Sequence, residues 1–320
     1  MLGLTPQRRG VLYHRLFSST APDFVSEPAE VQTALQTVSR AIAPLKVSRS
    51  VTWILDSGFD DVALWRTIWE QDEHLVVRVA HPERLVDMPD AHGNWQPGSI
   101  DAARAGMAVV AQAQTQMEVQ KRGQPRAKRQ TVQVQIRACP IRVTYATNVR
   151  RTGMGQTVRR TVWLLEIQLL DTPLEPWLLI TDWEVGTAAQ AIRIFQMYRQ
   201  RWSVEDSFKF TKACLGWEDV QVLDLDGIRM LVALAWVAAG FLYRMGVTLQ
   251  WESVQLLARL GGWEPRPNRP PGKLTLTRGL HRLLDMLTTN AFLQAYYREH
   301  GPFPPDLAGL LYGWRPESEL

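Results

Sequence analysis

Four side chains near residue 200 are of types that together bind a metal ion and a phosphate. Tyr198, Arg201, Glu205 and Lys212 follow one another with the spacing Y-(2)-R-(3)-E-(6)-K. At about 100° per residue, a continuous helix projects all four from an arc of about 60°. The carboxylate of such a set can hold a divalent cation, while the guanidinium and the ammonium can bind phosphates. The alternative is an ordinary amphipathic helix with an i,i+4 pair between Arg201 and Glu205.

A further carboxylate follows a clear strand pattern. Val51–Leu55 is a short apolar run rich in β-branched and aromatic residues, and the letters DSGFDD after it are typical of a turn. The run predicts a buried strand that ends at Asp56. An aspartate in this position can ligate a metal ion, or it can simply cap a turn or a helix.

The segment between Lys121 and Arg160 is strongly basic. It holds no Asp or Glu, and its cations are Lys121, Arg122, Arg126, Lys128, Arg129, Arg137, Arg142, Arg150, Arg151, Arg159 and Arg160. The net charge of the whole chain is only +4, so the positive charge is concentrated here. Such a run is the electrostatic footprint of a phosphate-rich partner, and the alternative is a solvated charged surface.

Helix and strand patterns alternate before this basic segment. Apolar residues at helical spacing follow Ser26, a good N-cap, and predict a helix that ends at Pro44. A strand over Val51–Leu55, a helix over about Val62–Glu70 and a strand in LVVRVA then predict an α/β sheet. One further strand is expected before the first helix, around Gly10–Ser18.

From Arg84 to Ile180, alternating apolar and polar residues predict antiparallel strands, with a polar, basic loop over Val119–Gln130. Pro176–Trp183 is typical of another buried strand. The pattern then becomes helical, and it predicts one long helix from about Thr187 to Gly216.

The C-terminal part of the chain is predicted to be helical. Met230–Tyr243 is an apolar stretch of 14 residues, too short to span a bilayer comfortably, and it predicts a buried core helix. Pro265–Gly272 is expected to be a linker, and Arg278–Tyr297 a last helix.

Composition narrows the class of protein. Ordinary fractions of hydrophobic (46%) and charged (21%) residues argue against wholesale disorder. The two cysteines, Cys139 and Cys214, form no C-x-x-C pair, so a disulfide framework and a zinc site are not expected. The N-terminus lacks the apolar core of a signal peptide, and a soluble, cytoplasmic protein is expected.

The helical segment YRQRWSVEDSFKFTKACLG resembles the signature run of bacterial insertion-sequence DDE transposases, in particular the YREK group of the insertion-sequence-four type. Asp56 in ILDSGFDD is similar to the second catalytic aspartate of that family, and LLITDW is similar to its L-L-x-T-N strand, with Asp182 in place of Asn. The signature positions that match are Tyr198, Arg201, Trp202, Glu205, Phe208, Lys209, Lys212, Leu215 and Gly216.

The resemblance implies an RNase H-like mixed sheet with flanking helices, interrupted by a β-rich insertion. Asp56 and Glu205 are separated by 149 positions in the sequence, which leaves room for that insertion. The implied division of the chain is a partial RNase H-like core with Asp56 over 1–83, the insertion over 84–175, the rest of the core with the YREK helix over 176–250, and a helical tail over 251–320.

The resemblance also implies two-metal cleavage and strand transfer on double-stranded DNA, the transposon ends and the target. Asp56 and Glu205 would be catalytic and would ligate Mg²⁺ or Mn²⁺. Tyr198, Arg201, Lys209 and Lys212 would form the DNA-binding set, with Tyr198 supporting the cations that hold phosphates. A homodimer in the DNA complex and a cytoplasmic, nucleoid-associated location would follow.

One landmark of the family has no counterpart in this sequence. The first catalytic aspartate belongs on an early strand, but the only acidic residue before Glu27 is Asp23, which lies in a Ser/Pro-rich turn. We therefore expect a truncated transposase copy that lacks the N-terminal strands of the fold and the helices that bind the DNA ends. The alternatives are a non-catalytic DNA-binding protein derived from a transposase, and an unrelated α/β nuclease.

Overall fold

The structure is a computed structural model that describes residues 1–4, 9–21, 23–45, 51–119, 128–147, 156–215, 224–264 and 271–302. The chain forms two compact units, one of residues 17–205 and one of residues 1–16 and 206–320. The strands are β1 (Leu2–Leu4), β2 (Arg9–Val11), β3 (Thr52–Leu55), β4 (His74–Arg78), β5 (Leu85–Pro89), β6 (Trp95–Ser99), β7 (Ala108–Val119), β8 (Lys128–Thr147), β9 (Gln156–Leu169) and β10 (Trp177–Thr181). The helices are α1 (Glu27–Ile42), α2 (Val62–Trp69), α3 (Ile100–Ala105), α4 (Ala188–Arg199), α5 (Trp202–Leu215), α6 (Leu225–Thr248), α7 (Trp251–Leu260) and α8 (Lys273–His300).

Eight strands of the unit 17–205 form one mixed sheet. Its order is β3-β4-β10-β9-β8-β5-β6, and β7 pairs with β8. The strands β3 and β4 are parallel, and the other pairings are antiparallel. This mixed sheet with flanking helices confirms the predicted α/β class and is consistent with an RNase H-like transposase fold. The strands predicted as a β-rich insertion continue the same sheet, while the four-part division of the chain stays a prediction.

The core of this unit follows from the strand patterns. Alternate residues of β8, such as Val132, Val134 and Ile136, are buried, as the alternation of apolar and polar residues predicts. The strands β4 and β10 lie inside the sheet and are almost continuously apolar. Burial on both faces explains their composition, because each face of a central strand is covered.

The predicted element boundaries hold in several places and shift in others. The first helix begins as expected, because the Ser26 hydroxyl accepts a hydrogen bond from the Ala29 N–H at 3.2 Å. The early strand is only Arg9–Val11, and residues 12–18 adopt no regular structure. The strand β8 begins at Lys128, so the end of the predicted loop over Val119–Gln130 is wrong, while residues 120–127 lie outside the described ranges.

The other unit contains a small antiparallel sheet of β1 and β2 and the helices α6, α7 and α8. The helices α7 and α8 approach each other closely. A Cβ atom on Gly279 would lie 1.8 Å from the Leu257 carbonyl oxygen, which explains a glycine within α8 despite its poor helix propensity. Most of the predicted linker, residues 265–270, lies outside the described part of the chain.

The apolar stretch predicted as a buried core helix is a helix, but it is longer and more exposed than expected. It forms part of α6, which has 24 residues, and Met230, Leu234, Val237 and Phe241 are each more than half exposed. The prediction of full burial is wrong, because this helix buries only one side. Within the described ranges, α6 alone is long and apolar enough to cross a membrane, a criterion that core helices of soluble proteins also meet.

Candidate active site

Asp56 lies where β3 ends and a short 3-10 turn, Ser57–Phe59, begins. Its backbone is extended, and its Oδ1 atom accepts a hydrogen bond from the Ser57 N–H at 2.9 Å. The predicted strand that ends at this aspartate is confirmed. The cap uses one carboxylate oxygen, so the other oxygen, Oδ2, can bind a different group.

The other oxygen of Asp56 is bound by Arg201, which also binds Glu205. The Arg201 Nη1 atom lies 3.1 Å from Asp56 Oδ2, and its Nη2 atom lies 2.8 Å from Glu205 Oε1. The Arg201 side chain is 17% exposed, and the two carboxylates are 41% and 51% exposed. One guanidinium therefore joins two carboxylates that are 149 positions apart in the sequence.

Two helices replace the single long helix that the sequence predicts. The helix α4 ends at Arg199 and α5 begins at Trp202. Between them the Arg201 N–H bonds to the Tyr198 carbonyl and the Ser203 N–H to the Gln200 carbonyl, a three-residue spacing in place of four. The prediction that all four side chains project from one arc of a single helix is therefore wrong, because Tyr198 lies on a different helix from Glu205.

Tyr198 is a core residue beside the carboxylates. It is 4% exposed, and its ring packs edge-on against Trp177 with centroids 5.5 Å apart. Burial raises the pKa of its phenol, the negative charge of Asp56 raises it further, and the cations Arg201 and Arg78 oppose that shift. The phenol is thus close enough to sense the charges of the site while its ring belongs to the core.

We expect Tyr198→Phe to change the free energy of unfolding at neutral pH by no more than about 1 kcal/mol, because the ring packing is kept. A raised pKa favours the neutral phenol in the folded state. The contribution of the neutral Tyr198 phenol to the free energy of unfolding is therefore fully present below about pH 10. It is lost as the pH rises through the folded-state pKa of the phenol. Urea unfolding at about pH 8 and pH 11 should therefore show a larger alkaline loss for the wild-type chain than for Tyr198→Phe. An equal loss in both chains would contradict this placement of the phenol.

The other signature residues lie at or beyond the start of α5. Trp202 packs edge-on against Trp177 at 5.9 Å and is 45% exposed, so it is only partly a core residue. Lys209 and Lys212 have exposed side chains on the part of α5 that belongs to the second unit. Gly216, the predicted end of the helix, lies outside the described residues.

Two further residues lie beside Asp56, and no motif or periodicity in the sequence identifies them as neighbours of the site. Asp60, which is 6% exposed, accepts hydrogen bonds from the Ala80 and His81 N–H groups at 2.7 and 3.1 Å and pairs with Arg84. It ties the turn after β3 to the loop after β4. Arg78 ends β4, and the parallel register that pairs Leu55 with Val77 brings it beside Asp56.

Asp182, the position where the family usually has Asn, is the centre of a buried polar cluster. Its Oδ1 atom accepts the Leu75 N–H at 2.9 Å, and its Oδ2 atom lies 3.0 Å from His74 Nδ1 and 3.4 Å from Arg160 Nη2. The His74 ring stacks on Trp183 at 3.7 Å. This cluster is at the beginning of β4, at the opposite end of the β3–β4 pair from Asp56, so it stabilises the sheet and does not belong to the carboxylate site.

Much of the basic segment is neutralised within the sheet. Arg137 pairs with Glu166, Arg159 with Asp87 and Arg160 with Asp182, while Arg142 stacks over the Trp95 ring at 3.9 Å. Arg129 is exposed, and the Arg159 side chain is 67% exposed. Lys121, Arg122, Arg126, Arg150 and Arg151 lie outside the described residues. Within this basic segment, the described cations most open to a phosphate are therefore Arg129 and Arg159.

The carboxylates of the site are ligands of the type that a hard divalent ion prefers, but the described residues supply too few of them. Asp56 and Glu205 offer carboxylate oxygens, which Mg²⁺ and Mn²⁺ prefer. Among the described residues, however, no group of three or more His, Cys, Asp or Glu side chains could hold a metal ion. A full set of protein ligands would need a further carboxylate next to these two.

A comparison with known protein families finds a match that spans the eight-stranded sheet. The family described as a transposase DDE domain matches residues 26–239, two thirds of the chain. The matched range contains the strand with Asp56, the sheet, and both helices that flank Arg201. It argues against the unrelated nuclease, and it shows that this chain belongs to the DDE transposase family.

Proposed function

We propose that this chain is an insertion-sequence transposase of the YREK group, built for two-metal cleavage and strand transfer on double-stranded DNA. The observation that supports this best is the single guanidinium of Arg201 that holds both Asp56 and Glu205. The two carboxylates come from opposite ends of the family domain, and the fold brings them to one place at the carboxyl end of β3. Ligand sites of α/β sheets commonly lie at that end of a strand.

Asp56 and Glu205 are the residues that would hold Mg²⁺ or Mn²⁺. A bound metal pair would supply an activated water or 3′-hydroxyl and would stabilise the charge that develops at the phosphodiester. Arg201, Lys209 and Lys212 would bind DNA phosphates. Tyr198, being buried, would act by positioning Arg201 and not by contacting the DNA.

The third carboxylate is the part of this proposal that the described residues do not supply. In the described chain β3 pairs only with β4, and its other edge is open. A strand paired along that edge would bring an aspartate beside Asp56, and we infer that the complete site takes its third carboxylate from such a strand. A non-catalytic DNA-binding protein derived from a transposase would use the same phosphate contacts without cleavage.

The wider consequences of the proposal follow from the family. DNA is the partner, a homodimer would form in the DNA complex, and a cytoplasmic, nucleoid-associated location suits such an enzyme. The division into a core with Asp56 (1–83), a β-rich insertion (84–175), the core with the YREK segment (176–250) and a tail (251–320) also belongs to this proposal.

We expect the chain to bind duplex DNA with an affinity that falls steeply with salt, because each Lys or Arg contact to a phosphate releases counterions. The double variant Arg129→Gln/Arg159→Gln should weaken binding. If both residues contact phosphates, it should also reduce the slope of log affinity against log salt by about two. Fluorescence anisotropy with a labelled duplex at several salt concentrations measures both quantities.

The matched control is Arg40→Gln/Arg193→Gln, which removes the same charge from exposed arginines of α1 and α4. It should leave the salt slope unchanged. Binding that does not depend on salt, or no binding at low salt, would argue against any nucleic-acid role for this chain.

A further inference from the structure

The Arg201 guanidinium occupies the place between two carboxylates that a divalent cation would need. It contacts Asp56 Oδ2 at 3.1 Å and Glu205 Oε1 at 2.8 Å, one oxygen from each side chain. A ligated Mg²⁺ lies about 2.0–2.1 Å from its oxygens. A metal bound to these same two oxygens would take the acceptor atoms that the guanidinium now uses, so the two cations compete for them.

Electrostatics makes the two cations competitors as well. A divalent ion beside the guanidinium brings three positive charges next to two carboxylates, and Arg78 adds a fourth positive charge at the end of β4. The two ion pairs of Arg201 are each modest in strength, because both carboxylates are about half exposed and solvent screens them. A metal ion can therefore displace the guanidinium, but only at a cost in affinity.

We propose that Arg201 is an internal counter-ion, which holds the two carboxylates together in the metal-free chain and has to leave them when a divalent metal binds. This inference rests on the proposed function, because it takes Asp56 and Glu205 as the metal ligands. It gives Arg201 a second role beside phosphate binding. A guanidinium released by the metal is free to bind a phosphate at the same place, so metal binding and DNA binding are coupled through one side chain.

The location of Arg201 fits such a change of partners. It lies in the break between α4 and α5, where its own N–H already bonds to the Tyr198 carbonyl. The backbone is thus held by the turn and by the packing of Tyr198 and Trp202 against Trp177. Only the long side chain has to move, and no helix has to unfold.

The test is the affinity of the full chain for Mn²⁺ alone, measured without DNA by isothermal titration calorimetry and by the electron paramagnetic resonance signal of free Mn²⁺. We expect Arg201→Gln to bind Mn²⁺ about tenfold more tightly than the wild-type chain, because no guanidinium has to be displaced. Adding Asp56→Asn to Arg201→Gln should abolish this binding. Arg193→Gln, which removes an exposed arginine of α4, is the control for the change in overall charge and should bind Mn²⁺ like the wild-type chain.

Circular dichroism shows whether each variant is folded. If Arg201→Gln does not fold, Arg201→Lys replaces it in the same measurement. The lysine ammonium lacks the two-nitrogen fork of the guanidinium and should hold the two carboxylates less firmly, so Arg201→Lys should bind Mn²⁺ with intermediate affinity.

Other outcomes separate this inference from the proposed function. Equal Mn²⁺ affinity in the wild-type chain and in Arg201→Gln, with loss of binding in Asp56→Asn, would overturn the role of Arg201 and leave the metal site standing. An equal gain in Arg193→Gln would reduce the effect to net charge and would also overturn it. Absence of Mn²⁺ binding in every folded variant would overturn both the inference and the assignment of Asp56 and Glu205 as metal ligands.

Discussion

Replacing Asp182 by alanine is expected to lower the free energy of unfolding by about 3–5 kcal/mol. The Asp182 side chain is 2% exposed, and it holds the Leu75 N–H, His74 and Arg160. Alanine leaves the backbone N–H and a 5% exposed histidine without their acceptor in a place that water does not reach. Urea unfolding of the purified variant measures the loss.

The conservative variant Asp182→Asn is the matched control. Asparagine is the usual residue of the family at this position, and its side-chain carbonyl can still accept the Leu75 N–H. We expect it to cost about 1 kcal/mol, mainly through the lost charge beside Arg160. If alanine and asparagine destabilise the chain equally, the hydrogen bond to Leu75 is not what makes this cluster important.

The second large effect concerns the third carboxylate. Adding an N-terminal strand that carries an aspartate and pairs with the open edge of β3 should raise metal-dependent cleavage of DNA with cognate ends about 10³-fold or more over the chain alone. The physical reason is that the metals supply both the nucleophile and the charge stabilisation. Two carboxylates hold them poorly, because each ion replaces a charged ligand by water.

The control for this prediction is the same added strand with asparagine in place of its aspartate. Cleavage in the presence of Mg²⁺ or Mn²⁺ should then stay at the level of the chain alone. If the chain alone already cleaves as fast as the extended one, the third carboxylate that we infer is not needed. If the extended chain is no faster than its asparagine control, a third carboxylate is not what limits the reaction.

The strand before Asp56 and the first helix could be predicted because their signals are local. A run of β-branched and aromatic residues ends at a turn, and Ser26 caps a helix of clear periodicity. Glu205 and Arg201 were identified by spacing and by family resemblance. Their approach to Asp56 followed from the family landmarks and not from the sequence pattern itself.

What the sequence did not reveal depends on contacts between distant residues. The helical pattern runs unbroken through Gln200, and the break there accompanies the packing of Tyr198 and Trp202 on Trp177. The buried role of Asp182 requires His74, a partner 108 positions away. The exposed side of α6 was missed because a run of apolar residues does not show which side packs against the core.

We propose that Asp56 and Glu205 act together as the metal-binding carboxylates of a DNA transposase. The most direct test is the rate of strand cleavage by the chain extended with the aspartate-bearing strand, compared with its Asp56→Asn and Glu205→Gln variants. Asp61→Asn and Asp206→Asn are matched controls, since both are exposed aspartates close in sequence to the two ligands. We expect Asp56→Asn and Glu205→Gln each to lower the rate by about 10³-fold or more and the controls to leave it unchanged. Cleavage that survives both Asp56→Asn and Glu205→Gln would contradict the account.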